Sequence, residues 1–337
     1  MHTVHFHQTP AILASGTIVG PTEKKGPLGK SFPVWFEDDK FGEKSFELCE
    51  RKMLHNTITQ ALEHADLEAE DIDIVLSGDL MNQIISSNFA VRGLDTAFAG
   101  MYGACSTMAE TLLFGGILVD GGYFRRAIAC TASHFSSVER LFRFPLELGT
   151  QRTPTCQWTV TGAGAFVLTS VEESKKKNKG GKQPVLTCGT FGKVVDYGVT
   201  DANNMGAAMA PAARDTILTH LNERGVDADY YDLILTGDLG YLGSSILNDL
   251  MHEKSVDIDK NHNDCGMLIF EQLHDCRGGS GAGCSASVLS SYIYSEMKKG
   301  KINRLLFVAT GALLSTVSVQ QKESIPGIAH AVAIENL

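Results

Sequence analysis

What this chain lacks narrows its class before any motif is read. No apolar run in the 337 residues approaches the roughly 20 needed to cross a bilayer, so no transmembrane segment is expected. The start, Met1-His2-Thr3-Val4-His5-Phe6-His7, has neither the basic opening nor the long apolar core of a signal peptide. The eight cysteines include no Cys-x-x-Cys pair, which removes the common zinc and dithiol spacings and reads as reduced, cytosolic thiols used mostly as small core residues. No cluster of acidic or cysteine ligands accompanies the three early histidines, so no metal site is assigned. Positive charge is in short supply: 29 Lys and Arg against 39 Asp and Glu give a net charge of −10, which argues against a general nucleic-acid binder. What remains is an ordinary globular composition, 43% hydrophobic and 20% charged, in a chain long enough for one large domain or two fused halves.

The stretch around which the rest is organised is Met101-Tyr102-Gly103-Ala104-Cys105-Ser106-Thr107-Met108. Cys105 opens an apolar run to Val119 that fits a buried helix. The first N–H groups of a helix lack internal partners and carry the positive end of its dipole, so a thiol there is expected to have a lowered pKa, and the same place would attract a carboxylate. The alternative is a small residue where a strand turns tightly into a helix.

Along the chain, Gly20-Pro21-Thr22-Glu23-Lys24-Lys25-Gly26-Pro27-Leu28-Gly29 reads as a loop and Phe46 to His64 as an amphipathic helix. Short β-rich runs follow at Asp71 to Leu76, Arg126 to Thr131 and Thr161 to Leu168. Helices between strands imply parallel pairing in a layered α/β fold. A basic run, 175–182, reads as an exposed connection. Beyond it the pattern restarts. Tyr231 to Leu239 matches Asp73 to Leu80, Asn263-Asp264-Cys265-Gly266 falls where Ala104-Cys105 leads one to look, Arg304 to Thr310 repeats Arg126 to Thr131, and Ile328 to Val332 repeats 162–166. The offsets are 159, 160, 178 and 166 residues in one order, so the chain reads as two copies of one α/β unit, 1–174 and 183–337. Equivalent loops of such halves meet at a common site, which groups Asp79, Cys105, Asp238, His262 and Cys265.

Duplicated halves with a cysteine at a helix start resemble the thiolase fold and its ketoacyl synthases, as do Gly162-Ala163-Gly164-Ala165 and the loop Phe142-Arg143-Phe144-Pro145-x-Glu147. The resemblance implies a thiolase-like five-layer α/β/α/β/α sandwich of two pseudo-symmetric halves. A further set of segments covers nearly the whole chain: the Gly20 to Gly29 loop, Ser77-Gly78-Asp79-Leu80, Gly103 to Thr107, Asn204 to Pro211, His262 to Gly266, Ala309 to Ser315 and Gln320 to Pro326. Together they resemble the stage V sporulation protein AD family. That resemblance implies a protein that binds dipicolinate, free or as its calcium chelate, and takes part in its uptake into the developing spore. It also implies a peripheral place at the cytoplasmic face of the spore inner membrane, on the membrane subunits of the dipicolinate channel. Thiolase-like proteins are usually dimers, so a homodimer is expected.

The alternative is an active ketoacyl synthase or acyltransferase using Cys105. Such an enzyme needs a thiol, a group that activates it and donors for the oxyanion. The resemblance likens His262 to the synthases' second-half histidine. Where they often carry asparagine, Gly278 to Ser287 places Ala282, which has no side-chain donor, or Ser280 on a slipped alignment. The incomplete set favours binding over catalysis, leaving Cys105 and His262 as vestiges. The candidate ligand contacts are Asp79, Cys105, Ser106, His134, His262 and Gly281, with Lys24, Lys25, Arg140, Arg143 and Arg152 as the cations that a dicarboxylate would call for. Asp79 and Asp238 follow glycines at strand ends and could equally cap turns. No cofactor is expected beyond calcium carried by the ligand.

Overall fold

The computed structural model describes residues 1–143, 147, 153–177, 181–271 and 277–337. Its organising element is a large mixed sheet. Across it the strands run His262–Asp264, Leu233–Thr236, Arg304–Ala312, Gly327–Asn336, Pro184–Thr190, Ala11–Val19, Gly162–Thr169, Arg126–Ser133, Ile74–Gly78 and Ala97–Gly100. The order is the same read inward from either edge: two short parallel strands, a longer parallel one, then two antiparallel strands towards the middle. Thr3–His5 adds to Pro184–Thr190, and Val34–Trp35 to Ala11–Val19.

The strands are apolar on both faces, as sheets covered by helices on each side require. Side chains alternate between faces with a period of two. On Arg126–Ser133, Ala127 and Ala129 join a central core, while Ile128, Cys130 and Ala132 join an outer one. On Arg304–Ala312, Leu305, Phe307 and Ala309 point to that same central core, and Leu306 and Val308 to a second outer one. The central core is filled by the helices Thr107–Asp120 and Ala282–Val288, the latter running on through a π-helical turn, Leu289–Ile293. Phe46–Ala65 covers one outer face, and Met205–Arg224 with Gly240–His252 the other. Helix, sheet, helix, sheet, helix is the five-layer thiolase-like arrangement.

Two expectations need correcting. Gly20 to Gly29 is not all loop: Pro21–Lys25 forms a short helix, which proline can open because the first helical N–H has no partner in any case. Gly162–Thr169 pairs antiparallel, not parallel, with Arg126–Ser133, in the register Ser133↔Gly162. The chain leaves the first strand at Ser133, forms Phe135–Phe142 and Trp158–Thr159 at that same end of the sheet, and re-enters there, so it must run back. The detour matters, because that end of the sheet is where Cys105 lies.

The described cysteines, Cys49, Cys105, Cys130, Cys156, Cys188, Cys265 and Cys284, are all buried.

Candidate functional site

Cys105 sits on a tight turn ahead of the Thr107–Asp120 helix. Ala104 is held at φ 51°, a left-handed conformation that a residue with a Cβ rarely adopts, and Ser106 N–H and Oγ both donate to Gly103 O, at 3.0 and 2.6 Å. Thr107 Oγ1 donates to Ala104 O at 2.7 Å. The turn is pressed against the second half at Gly311, where a Cβ would stand 2.5 Å from Gly103 O.

Across from the thiol lies Asp238, fully buried at the end of Leu233–Thr236. Its carboxylate accepts from Thr310 Oγ1 at 2.7 Å, Gly281 N–H at 2.9 Å and Ser280 Oγ at 3.1 Å, and it lies beside the Cys105 thiol. Gly281 can direct its N–H there because its φ is 100°, open to glycine alone in practice. Burial pushes the Cys105 thiol well above its ordinary value of 9.0, the Asp238 charge pushes it further, and the Gly281 N–H and Ser280 hydroxyl offset only part of this. Burial also raises Asp238 against the pull of its donors. The helix-start expectation of a lowered thiol pKa is therefore overturned: Cys105 precedes the helix, is desolvated, and faces a carboxylate instead of a cation.

Around this pair is a chamber of about 30 Å³, room for about two waters, whose lining includes Tyr102, Thr159, Phe142, Arg143 and Leu314. Phe142 and Leu314 also line two outer recesses, one of about 460 Å³ on the side of Arg143, Ala202 and Asn203, the other of about 480 Å³ beside Leu80 to Ile84. Arg143 borders both the chamber and the recess of about 460 Å³ on its side. It pairs with Glu139, one turn earlier, and donates from Nη2 to Ala202 O at 2.9 Å, while Glu139 Oε1 accepts from Thr159 Oγ1 at 2.7 Å. Two of its five N–H groups are thus used, leaving three without a partner among the described residues.

The other candidates lie elsewhere. Asp79 accepts from Met81 N–H at 2.9 Å and Ser87 N–H at 2.7 Å, so it orders the chain into the helix Ile85–Val91. Ser106 turns its hydroxyl back into its own loop. His134 caps the helix Phe135–Phe142: its Nδ1 accepts from Ser136 N–H at 3.1 Å, and its Nε2–H donates to Asp39 O at 2.7 Å. Burial lowers its pKa. His262 is on the sheet's edge strand with Nε2 3.0 Å from Thr236 Oγ1, burial drawing its pKa down to about 4, and it does not line the chamber. Lys24 braces the chain that follows it, donating to Gly29 O and Phe32 O at 2.8 and 3.0 Å, while Lys25 is exposed. Arg140 pairs with Glu47. Arg152, Phe144 and Pro145 lie outside the described residues. Of the proposed contacts, only Cys105, Arg143 and Gly281 share one cavity.

With this geometry in hand, comparison with known proteins decides the family. The model for stage V sporulation protein AD matches residues 1–335. The stage V sporulation protein AD of Bacillus subtilis strain 168 is 45% identical over 331 residues, 98% of this chain and 95% of that one. This chain belongs to the stage V sporulation protein AD family. Among solved structures, a variant of OleA from Xanthomonas campestris superposes with a TM-score of 0.61 at 13% identity, covering 98% of this chain and 99% of that one. The 3-oxoacyl-[acyl-carrier-protein] synthase III of Aquifex aeolicus VF5 gives 0.56 at 13%, covering 97% and 99%. At that identity the likeness carries the fold alone. A sporulation protein of thiolase-like fold thus keeps a cysteine at the sheet end but sets a buried carboxyl against it. Sequence reasoning grouped the Asp238 loop with Cys105, yet read the residue as a turn cap. The signal was there: Thr236-Gly237-Asp238 repeats Ser77-Gly78-Asp79, and one member of such a pair is free to take another task.

Proposed function

We propose that this member of the stage V sporulation protein AD family binds dipicolinate, free or as its calcium chelate, without catalysing acyl condensation, and so takes part in its uptake into the developing spore. The observation that carries the reading is Arg143 at the junction of chamber and recess, behind which burial and the Asp238 charge hold the proton on Cys105. Dipicolinate offers two carboxylates on a flat ring. One carboxylate suits the free edge of the guanidinium, a charge-assisted pair, and the ring suits the apolar walls at Leu141, Phe142 and Leu314. The chamber is too small for the ligand, so the ring lies in the recess outside it.

Condensation, by contrast, needs a thiolate, and burial together with the Asp238 charge holds the proton on Cys105. In this reading the chain acts as a homodimer. The strand Ala97–Gly100 leaves an unpaired sheet edge, and pairing two such edges isologously would cover it. A membrane channel subunit recruits the chain by protein contact: no helix among the described residues is long and apolar enough to cross a membrane.

Calorimetric titration tests the ligand, using dipicolinate with and without equimolar calcium, and acetyl and malonyl thioesters in parallel. Saturable heat with dipicolinate is expected, weakened at least about tenfold in Arg143→Ala and retained in Cys105→Ala. Absence of heat and of thermal shift at millimolar dipicolinate, or thioester turnover that vanishes in Cys105→Ser, overturns the reading.

A further inference from the structure

The sheet is not continuous at its middle. Ala11–Val19 meets Pro184–Thr190 only at Ala11↔Val185, so beyond that point the outward backbone edge of Ser15 and Thr17 has no strand beside it among the described residues. Two side chains one helical turn apart on Phe46–Ala65 serve that edge instead. Gln60 Oε1 accepts from Thr17 N–H at 2.6 Å, and His64 Nδ1, 2.8 Å from Ser15 O, must carry the proton because a carbonyl only accepts. The hydroxyls of the same two strand residues turn to the π-helical turn: Ser15 Oγ donates to Ser290 O at 2.8 Å, and Thr17 Oγ1 meets Ser290 Oγ at 2.6 Å. π-turns inside helices recur at functional sites, since the widened turn re-aims side chains and frees backbone groups.

A cavity of about 240 Å³ lies in this split, on other residues than those around Cys105. Seven of its eleven lining side chains are hydroxyls, and its charged or ionisable members are Lys30, His64 and Tyr294. In a protein of net charge −10, no aspartate or glutamate is among them. The Ser31, Tyr294 and Ser295 hydroxyls, the Gln60 amide N–H₂ and the Lys30 ammonium have no hydrogen-bond or ion-pair partner among the described residues. They are donors without acceptors. Lys30 reaches the rim because the Gly20 to Gly29 stretch is locked beneath it by Lys24, which holds Gly29 O and Phe32 O. The stretch that in sequence offers Lys24 and Lys25 as candidate cations for a dicarboxylate is thus followed by a different lysine, Lys30, at a different cavity.

We infer that this cavity is a second ligand site, one that takes a small oxyanion, a phosphate or a carboxylate, on Lys30 and the hydroxyls of Ser31, Tyr294 and Ser295. Converging donors, one fixed cation and no competing carboxylate define that chemistry, and the volume limits the ligand to a few heavy atoms beyond the anionic group. The site sits in the split between the two halves of the sheet, so an anion there also bridges strand, helix Phe46–Ala65 and the π-turn.

The test is titration of the full chain with inorganic phosphate and, separately, with succinate, at ionic strength held constant with chloride, followed by calorimetry and by ³¹P line broadening for phosphate. Saturable binding of either anion in the millimolar range or tighter is expected; which one binds assigns phosphate or carboxylate chemistry. Lys30→Met, at an exposed position where folding is not at stake, should weaken it at least about tenfold, and Tyr294→Phe by a smaller measurable factor. Arg143→Ala should leave it unchanged. No saturable binding of either anion, binding indifferent to Lys30→Met, or loss of binding in Arg143→Ala overturns the assignment.

Discussion

Glu23 offers the sharpest physical test of how this structure is held together. It sits in the short helix Pro21–Lys25, and the residue is 1% exposed. Oε1 accepts from Thr161 N–H at 2.9 Å; Oε2 has no partner. Burial lifts its pKa from the ordinary 4.5 to about 8, with the charge of Asp39 adding to the rise and the Thr161 hydrogen bond opposing it. The folded chain therefore keeps a proton that the unfolded chain releases above pH 4.5, so this residue makes stability fall as pH rises from about 4.5 to about 8, and level off beyond. Each pH unit in that window costs about 1.4 kcal/mol, giving about 3 kcal/mol at pH 7 as an upper figure, since local relaxation would let water in. Glu23→Gln removes the ionisation and keeps the shape. Urea midpoints at pH 5, 6, 7 and 8 should show the two proteins within about 1 kcal/mol at pH 5 and the variant ahead by about 3 kcal/mol at pH 7 and about 4 kcal/mol at pH 8. Other buried carboxyls, Glu50 and Asp79 among them, tilt both curves equally, so the difference isolates Glu23. Parallel curves across the window would refute the argument.

Three further outcomes follow from the same coordinates. Alkylation of Cys105 by iodoacetamide at pH 8 should run at least about tenfold slower than that of a free thiol, because burial and Asp238 hold the proton on sulfur; a rate equal to or above the free thiol's would restore a nucleophilic reading. Gly311→Ala drives a Cβ to 2.5 Å from Gly103 O and should lower stability by about 1–3 kcal/mol in a denaturant melt while raising the exposure of Cys105, whereas an unchanged melt would show that the turn is not wedged between the halves. With anionic liposomes the purified chain should float poorly and should co-purify instead with a membrane partner in detergent. Strong flotation lost on neutralising Lys175, Lys176 and Lys177 would show that lipid does the recruiting.

Sequence alone determined what depends on local order. Periods of two and of 3.6 marked the strands and helices, the ordered repeat marked the two related units, and the long motifs identified the family. The turn chemistry of Gly103 to Thr107 placed Cys105 at a strand-to-helix corner. Tertiary structure decided the rest, because it depends on what approaches through space. Whether Gly162–Thr169 runs with or against its neighbour turned on which end of the sheet the chain re-entered. The direction of the Cys105 pKa turned on desolvation and on Asp238, more than a hundred residues away in sequence, outweighing the local dipole that sequence could see. Lys24 and His134 look like ligand groups by type, but the nearest carbonyls and N–H groups claimed them, whereas Arg143 kept three donors facing a recess. Titration and ligation are decided by burial and by unspent hydrogen-bond capacity, neither of which is written in the order of residues.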